Sequence, residues 1–331
     1  MKIVIDRDIP FCEGLFEPYA EVAALDGRSI SRRDVAGADV LVVRTRTRCD
    51  AALLEGSSVR LVVTATIGFD HIDCAWCAAH GIEMVTAAGC NARGVLQWVA
   101  AALALDARRT GWHPAQRTLG IVGVGHVGSL VREYAERWGF RVLCCDPPRE
   151  AREQLGFRPL AEVAREADIL TLHTPLDATT RHLVDAALLA TMKPDALLLN
   201  SSRGEVVSTV ALLGSRLRFV LDVWEGEPHP DPEALERAVA ATPHIAGYSV
   251  QGKANATAAA VVAVARRFGL PLADWYPEGV RRSAPRPIGW EELCATIDRH
   301  FDLAAETDRL KRRPDTFERL RDTYRYREEY F

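Results

Sequence analysis

The stretch TLGIVGVGHVGSLVREYAERWGFRVLCCD, residues 118–146, decides the fold. It begins with an apolar run bounded by glycines, which is typical of a buried parallel strand. Gly123, Gly125 and Gly128 then have the G-x-G-x-x-G spacing, helical periodicity follows, and a second apolar run ends at Asp146. The stretch therefore predicts a strand, a tight turn, a helix and a second strand that ends in an acid.

Each glycine of this turn has a physical reason. Gly123 permits the turn, Gly125 lets a pyrophosphate approach the backbone, and Gly128 lets the helix pack closely on the strand. The helix N-terminus offers free N–H groups and a positive dipole end to phosphates. Asp146 follows about 20 residues later and favours NAD, since a carboxylate accepts from a ribose 2′-OH and repels a 2′-phosphate. Arg149 leaves NADP open as the alternative, because it could hold that phosphate.

The composition is that of an ordinary globular protein. The chain has 331 residues, of which 48% are hydrophobic and 26% charged, and this length allows two domains. The net charge of −4 and the lack of a basic block predict no nucleic-acid partner. No apolar run approaches the roughly 20 residues of a membrane span, and the first residues predict a strand instead of a signal peptide. We therefore expect a cytoplasmic protein without a membrane partner.

One cysteine cluster raises the question of a metal site. Cys74, Cys77 and His80 lie on a predicted helix over residues 71–80, but no second ligand pair has the spacing of a structural zinc site. The other cysteines are scattered, as reduced cytosolic thiols usually are. The sequence therefore predicts buried thiols and no metal.

Strands alternate with helices on both sides of the glycine motif. Residues 1–90 predict a small parallel sheet, and residues 94–253 predict one doubly wound domain. Ligands of such sheets bind at the carboxyl ends of the strands. In the first sheet these ends are the Arg44–Arg48 loop and the Thr66–Gly68 loop. The arginines either bind an anionic substrate or form a solvated rim.

The C-terminal part has a different composition. Residues 270–290 are rich in proline and arginine and predict a surface linker. Helices are predicted over residues 288–301 and 317–330. The second is either a solvated capping helix or a dimer contact.

Three side chains follow different strands of the second sheet, on the edge where the cofactor is expected. They are Arg203, Glu227 and His244. Hydride transfer between a 2-hydroxy acid and a 2-oxo acid needs a cation for the carboxylate, which arginine supplies as a bidentate fork. It also needs a proton acceptor, which histidine supplies when a carboxylate orients it. Each residue alone could be structural, but together they predict an active site.

The runs that carry these residues resemble the D-isomer-specific 2-hydroxyacid dehydrogenases. They are TLGIVGVGHVG, SSRGEVV, LDVWEGEP and HIAGY, with VRTRT and TATIGFDHID upstream, and the similarity covers most of residues 1–269. The resemblance implies an α/β fold of two doubly wound parallel-sheet domains. A Rossmann NAD domain (94–253) would be inserted in a flavodoxin-like substrate domain (1–93 and 254–280), followed by a small C-terminal dimerisation segment (281–331).

The resemblance also implies roles for individual residues. Arg203 would bind the substrate, Glu227 would be the carboxylate partner and His244 the acid/base. The implied NAD contacts are Gly123, Gly125, His126, Val127, Gly128, Asp146, Thr174, Ser201, Ser202, Asp222 and Gly247. The implied substrate contacts are Arg44, Thr45, Thr66 and Tyr248, with threonine at position 45 where serine is usual.

The implied activity is NAD-dependent oxidation of a small phosphorylated 2-hydroxy acid. The alternatives are a sibling enzyme for glycerate or 3-phosphoglycerate and a non-catalytic NAD-responsive regulator. The tail TFERLRDTYRYREEY resembles the end of a dimerisation domain, so a homodimer is expected. Whether Arg327 of that tail reaches the partner's active site stays open.

Overall fold

The computed structural model describes residues 1–153 and 156–331, and the chain divides into two compact units. The first unit comprises Met1–Asn91 and Val250–Arg282, and the second comprises Ala92–Ser249 and Ser283–Phe331. Each contains a parallel sheet flanked by helices, so the predicted α/β fold is confirmed. From Ser283 onward the C-terminal segment belongs to the second unit, while its role in dimerisation stays a prediction.

The strands are short and mostly apolar. Their bounds are β1 (Lys2–Asp6), β2 (Glu21–Leu25), β3 (Val40–Val43), β4 (Leu61–Thr64), β5 (Glu83–Thr86), β6 (Thr118–Val122), β7 (Arg141–Cys145), β8 (Ile169–Leu172), β9 (Leu197–Asn200), β10 (Arg218–Leu221) and β11 (Ala240–Ala241).

The helices connect or cover these strands. Their bounds are α1 (Arg32–Val35), α2 (Ala51–Leu54), α3 (Cys74–Ala79), α4 (Ala92–Thr110), α5 (His126–Trp138), α6 (Pro147–Glu153), α7 (Leu160–Glu166), α8 (Ala186–Thr191), α9 (Thr209–Gly214), α10 (Pro232–Arg237), α11 (Val250–Phe268), α12 (Trp290–Thr296), α13 (Leu303–Arg312) and α14 (Phe317–Asp322). No helix among the described residues is long and apolar enough to cross a membrane.

The first unit has the strand order β2-β1-β3-β4-β5, and all pairs are parallel. This is the flavodoxin-like order. Strands β3 and β4 are buried along their whole length because helices cover both faces of the sheet. Ala260, Val261 and Val264 of α11 pack into the same core cluster as β1, β3 and β4.

The second unit has the order β11-β10-β9-β8-β6-β7, again with parallel pairs. From β6 the chain passes to β7 on one side and then to β8 on the other. The strand order therefore reverses beside β6, and ligands of such sheets bind at this switch point, at the carboxyl ends of the strands. The glycine turn directly follows β6 and lies at that position.

Helix α3 carries the cysteine cluster of the zinc alternative. The His80 ring stacks on Trp76 with centroids 3.9 Å apart, and His80 Nδ1 lies 2.8 Å from the Trp76 carbonyl oxygen. Cys77 is fully buried, and the described residues contain no group of three side chains that could hold a metal ion. The cluster belongs to the packing of this helix.

The C-terminal segment packs onto the second unit through aromatic side chains. Trp290 of α12 lies against Trp112 and Trp138, and Phe331 contacts Tyr134 and Trp138. The helix predicted over residues 288–301 is observed as α12 and a following 3₁₀ turn.

The prediction of a helix over residues 317–330 is wrong beyond Asp322, where α14 ends. The remaining chain is not helical, and Arg327 forms an isolated parallel bridge with Ser249. Tertiary hydrogen bonds of the Arg327 side chain, described below, hold this conformation and override the helical periodicity of the sequence.

Candidate active site

The glycine turn between β6 and α5 has the geometry that its sequence predicts. Gly123 has a φ of +83°, and a Cβ there would lie 2.6 Å from the His173 carbonyl oxygen. At Gly128 a Cβ would lie 2.0 Å from the Gly123 carbonyl oxygen, so α5 packs directly on the turn. Gly125, by contrast, has open space where a Cβ would be. The turn is closed on the protein side and open on the side where a pyrophosphate would bind.

Asp146 follows β7 and holds the same turn. Its carboxylate accepts hydrogen bonds from the backbone N–H of Val124 (2.7 Å) and of Arg149 (2.9 Å). The guanidinium of Arg149 is paired with Glu153 and also donates to the Val124 carbonyl oxygen. Since Glu153 already neutralises Arg149, this arrangement favours a ribose hydroxyl over a 2′-phosphate.

Two hydroxyl groups at neighbouring strand ends are buried without a hydrogen-bond partner among the described residues. They are Thr174 Oγ1, after β8, and Ser201 Oγ, after β9. A buried hydroxyl normally has a partner, so these two fit a ligand that supplies one. Ser202, in contrast, already donates to Asn200 Oδ1 at 2.7 Å. Together with the turn, these residues fit a bound dinucleotide.

Glu227 and His244 form the central pair of the site. His244 Nδ1 lies 2.8 Å from Glu227 Oε2, and the other carboxylate oxygen accepts from the Trp224 N–H at 3.0 Å. Both side chains are about one quarter or less exposed. Burial opposes ionisation of Glu227, but the neighbouring His244 and Arg321 outweigh it and hold the pKa of that carboxyl below its usual value. A charged carboxylate therefore faces Nδ1, and Nε2 is the nitrogen that can exchange a proton.

The backbone at His244 is held by Asp222, at the end of β10. His244 has a left-handed φ of +59°, an uncommon conformation for a residue other than glycine. Asp222 Oδ1 accepts from Ile245 N–H (2.8 Å) and Thr242 Oγ1 (2.6 Å), and Oδ2 accepts from Ala246 N–H (2.9 Å). Burial raises the pKa of the Asp222 carboxyl. Asp222 thus holds the backbone of the loop that carries His244, while its expected contact with NAD stays a prediction.

Arg203 lies in the turn after β9, close to the backbone of the residues that precede Glu227. Its Nη1 donates to the Ser202 carbonyl oxygen at 2.8 Å. The next residue, Gly204, packs so closely that a Cβ would lie 2.0 Å from the Trp224 carbonyl carbon. The turns that carry the arginine and the glutamate are therefore in direct contact.

The C-terminal segment contributes two arginines, Arg321, which the sequence analysis did not single out, and Arg327, whose place it left open. Arg321 Nε donates to the Tyr248 hydroxyl at 3.1 Å, and Arg321 Nη1 lies 3.8 Å from Glu227 Oε2. Arg327 is buried and donates to the carbonyl oxygens of the loop that follows His244, namely those of Ile245, Ala246 and Tyr248, and to that of Gly94. Arg327 thus bonds to its own subunit in this structure. Only the aromatic and basic character of the tail hinted at these contacts.

Three of the predicted substrate residues, Arg44, Thr45 and Thr66, belong to the first unit. Arg44 Nε donates to Asp6 Oδ2 at 2.8 Å, and its Nη2 donates to Asp8 at 2.7 Å. Thr45 is exposed, and Thr66 Oγ1 lies 2.6 Å from Thr64 Oγ1. Their roles toward substrate stay predictions.

Comparisons with known proteins agree with this architecture. The family model described as D-isomer specific 2-hydroxyacid dehydrogenase, NAD binding domain, matches residues 84–246. The solved D-lactate dehydrogenase of Aquifex aeolicus, complexed with NAD and lactic acid, has the same fold. Its TM-score is 0.66 at 23% identity, over 85% of this chain and all of that chain.

Similarity to curated proteins extends over almost the whole chain. It is 43% identical to an erythronate-4-phosphate dehydrogenase of Ectopseudomonas mendocina, over 99% of this chain and 93% of that protein. It is 41% identical to the enzyme of the same name from Bacteroides fragilis, over 99% and 97%. The chain therefore belongs to the D-isomer specific 2-hydroxyacid dehydrogenases, a family of NAD-dependent oxidoreductases, and NAD is its cofactor.

Proposed function

We propose that this protein oxidises 4-phospho-D-erythronate to 2-oxo-3-hydroxy-4-phosphobutanoate with NAD, a step in the synthesis of pyridoxal 5′-phosphate. The observation that carries the proposal is the hydrogen bond between His244 Nδ1 and Glu227 Oε2, on the cofactor edge of a Rossmann domain. The substrate is supported by the relatives named erythronate-4-phosphate dehydrogenase, which match this chain over nearly its full length.

The side chains divide the chemistry between them. Bound NAD supplies the acceptor for the hydride that leaves C2 of the substrate. His244 Nε2 takes the proton of the C2 hydroxyl, and Glu227 stabilises the imidazolium that forms. Arg203 binds the carboxylate with its planar fork and keeps C2 in place. Asp222 accepts hydrogen bonds from the backbone N–H groups of the loop after His244, and Arg327 donates to its carbonyl oxygens.

The test is NADH formation with a panel of acids. The full-length protein is assayed with 4-phospho-D-erythronate, D-glycerate and 3-phosphoglycerate, and a parallel reaction contains a 2-oxo acid to recycle retained cofactor. Selective turnover of 4-phospho-D-erythronate supports the proposal. Preference for another acid would assign the protein to a sibling reaction with the same Arg–Glu–His mechanism. Tight NAD binding without turnover of any acid would point to a regulator.

We also propose that the protein is a cytoplasmic homodimer without nucleic-acid or membrane partners. Support comes from the tail that resembles a dimerisation domain and from the net charge of −4. Light scattering coupled to size exclusion tests the assembly. A mass of twice 36.5 kDa is expected, and a monomer at micromolar concentration would contradict the dimer.

A further inference from the structure

Helix α14 brings a cation to the catalytic pair. Arg321 Nη1 lies 3.8 Å from Glu227 Oε2, the oxygen that is 2.8 Å from His244 Nδ1. The Arg321 side chain is 24% exposed, so water and small solutes can reach it. This cation comes from the C-terminal segment of the same chain, whereas Arg203 comes from the end of β9.

The contact with Glu227 does not use the hydrogen-bonding capacity of Arg321. A separation of 3.8 Å is longer than a hydrogen bond, and both Glu227 oxygens already have closer partners in Trp224 and His244. A guanidinium carries five N–H donors. Among the described residues, the one hydrogen bond from Arg321 is that of Nε to the Tyr248 hydroxyl. The Nη1 and Nη2 groups are therefore available to bind an anion as a fork.

Tyrosines hold Arg321 in place at this position. The Tyr248 ring makes edge contacts with Tyr324 and Tyr326, with centroids 6.2 and 6.0 Å away. The Tyr248 hydroxyl in turn accepts the Nε hydrogen bond of Arg321. A guanidinium held through Nε presents its two terminal nitrogens in a fixed plane, which favours bidentate binding of phosphate or carboxylate.

Besides helping to keep Glu227 charged, a second cation at this site can neutralise a second anion of the substrate. Arg203 alone can neutralise the carboxylate of a simple 2-hydroxy acid. The guanidinium of Arg44, predicted to bind a substrate anion, is already paired with Asp6 and Asp8. Resting on the proposed function, we infer that Arg321 binds the phosphate group of the substrate and makes the enzyme selective for phosphorylated 2-hydroxy acids.

The experiment compares matched substrates that differ only in the phosphate. Wild type, Arg321→Met and Arg321→Lys are assayed at saturating NAD with 4-phospho-D-erythronate against D-erythronate, and with 3-phosphoglycerate against D-glycerate. The control is Arg319→Met, which removes an exposed arginine from the same helix. Thermal unfolding and NAD binding are measured for each variant to verify the fold.

For Arg321→Met we expect KM for the phosphorylated acid to rise at least about tenfold, because a charge-assisted fork is lost. The KM for its unphosphorylated partner should change less than threefold. Arg321→Lys should fall between, and Arg319→Met should match wild type. If Arg321→Met unfolds, the same comparison is made with the lysine variant.

Equal effects on both members of a pair, or no effect on either, would overturn the inference and leave the proposed function intact. A wild-type enzyme that prefers the unphosphorylated acids would instead contradict the proposed function. The selectivity ratio of the wild type therefore separates the two failures.

Discussion

Replacing Glu227 by glutamine removes the charge beside His244 while keeping the size of the side chain. The amide can still contact Nδ1, but it cannot stabilise the imidazolium that forms when His244 takes the substrate proton. We therefore expect kcat to fall strongly. The KM for NAD should change little, because no hydrogen bond of the glycine turn or of Asp146 involves Glu227 among the described residues.

The structure gives the size of this effect. The two groups are 2.8 Å apart and about one quarter or less exposed, so they are partly screened by solvent. A charge-assisted hydrogen bond of this kind contributes about 1.5–3 kcal/mol. Coulomb attraction at an effective dielectric of about 20 sets an upper bound of about 6 kcal/mol at this separation. The positive charge of Arg321 reduces the stabilisation that Glu227 gives to the His244 imidazolium. We expect kcat to fall by about 10–100-fold.

Steady-state NADH formation measures this prediction, with Glu225→Gln as the matched control. Glu225 is a neighbouring carboxylate that is also bonded to a histidine, with Oε1 2.6 Å from His182 Nε2 and Oε2 accepting from the Thr209 N–H. The Glu225→Gln variant therefore shows how much turnover falls when a carboxylate–histidine pair elsewhere in the protein loses its negative charge. Turnover of Glu227→Gln within threefold of wild type, or an equal loss in both variants, would refute the assigned role of Glu227.

Three further predictions concern the scaffold and the cofactor. Arg327→Met should lower kcat, and in denaturant titrations it should lower the free energy of unfolding by about 3 kcal/mol, because backbone carbonyls of the His244 loop lose a charged donor. Replacing the exposed Arg325 by methionine should change neither quantity. Burial lowers the pKa of His173 to about 3 in the folded protein. Between pH 6.5 and 3 the histidine is therefore protonated in the unfolded chain but not in the folded one, and the free energy of unfolding falls as the pH decreases through this range. Between pH 7.5 and 5.5 the free energy of unfolding should fall by about 1.4 kcal/mol because of His173, and His173→Gln should remove this decrease. Equal pH dependence of stability in the variant and the wild type would contradict the prediction. Asp146→Ser should raise KM for NAD and reduce the discrimination against NADP. If the ratio of KM for NADP to KM for NAD does not change, the carboxylate does not contact the ribose.

Local signals in the sequence were sufficient for the cofactor half of the site. The turn after β6 could be predicted because close contacts within the turn and with the His173 backbone require Gly123 and Gly128. Asp146 could be predicted because it directly follows the next strand. Arg203, Glu227 and His244 could be grouped because each follows a strand of one sheet, and parallel strands end at the same edge.

The rest of the site depends on contacts between distant parts of the chain. The aromatic and basic character of the tail does not show that Arg321 lies beside Glu227 or that Arg327 bonds to the loop after His244 in its own chain. The NAD contact of Asp222 stays a prediction from the family resemblance, but the hydrogen bonds that its oxygens accept from the Ile245 and Ala246 backbone could not be predicted from the sequence. Periodicity likewise could not show where α14 ends, since tertiary hydrogen bonds decide it.

The most direct test of the central claim uses 4-phospho-D-erythronate deuterated at C2. The protein is incubated with this substrate and NAD, and the NADH formed is analysed by mass spectrometry. If the Arg203, Glu227 and His244 site oxidises C2 of the substrate, each NADH should carry one deuterium, and the His244→Ala variant should form it far more slowly. NADH without deuterium, or equal rates in the variant and the wild type, would contradict the proposed reaction or the assigned proton acceptor.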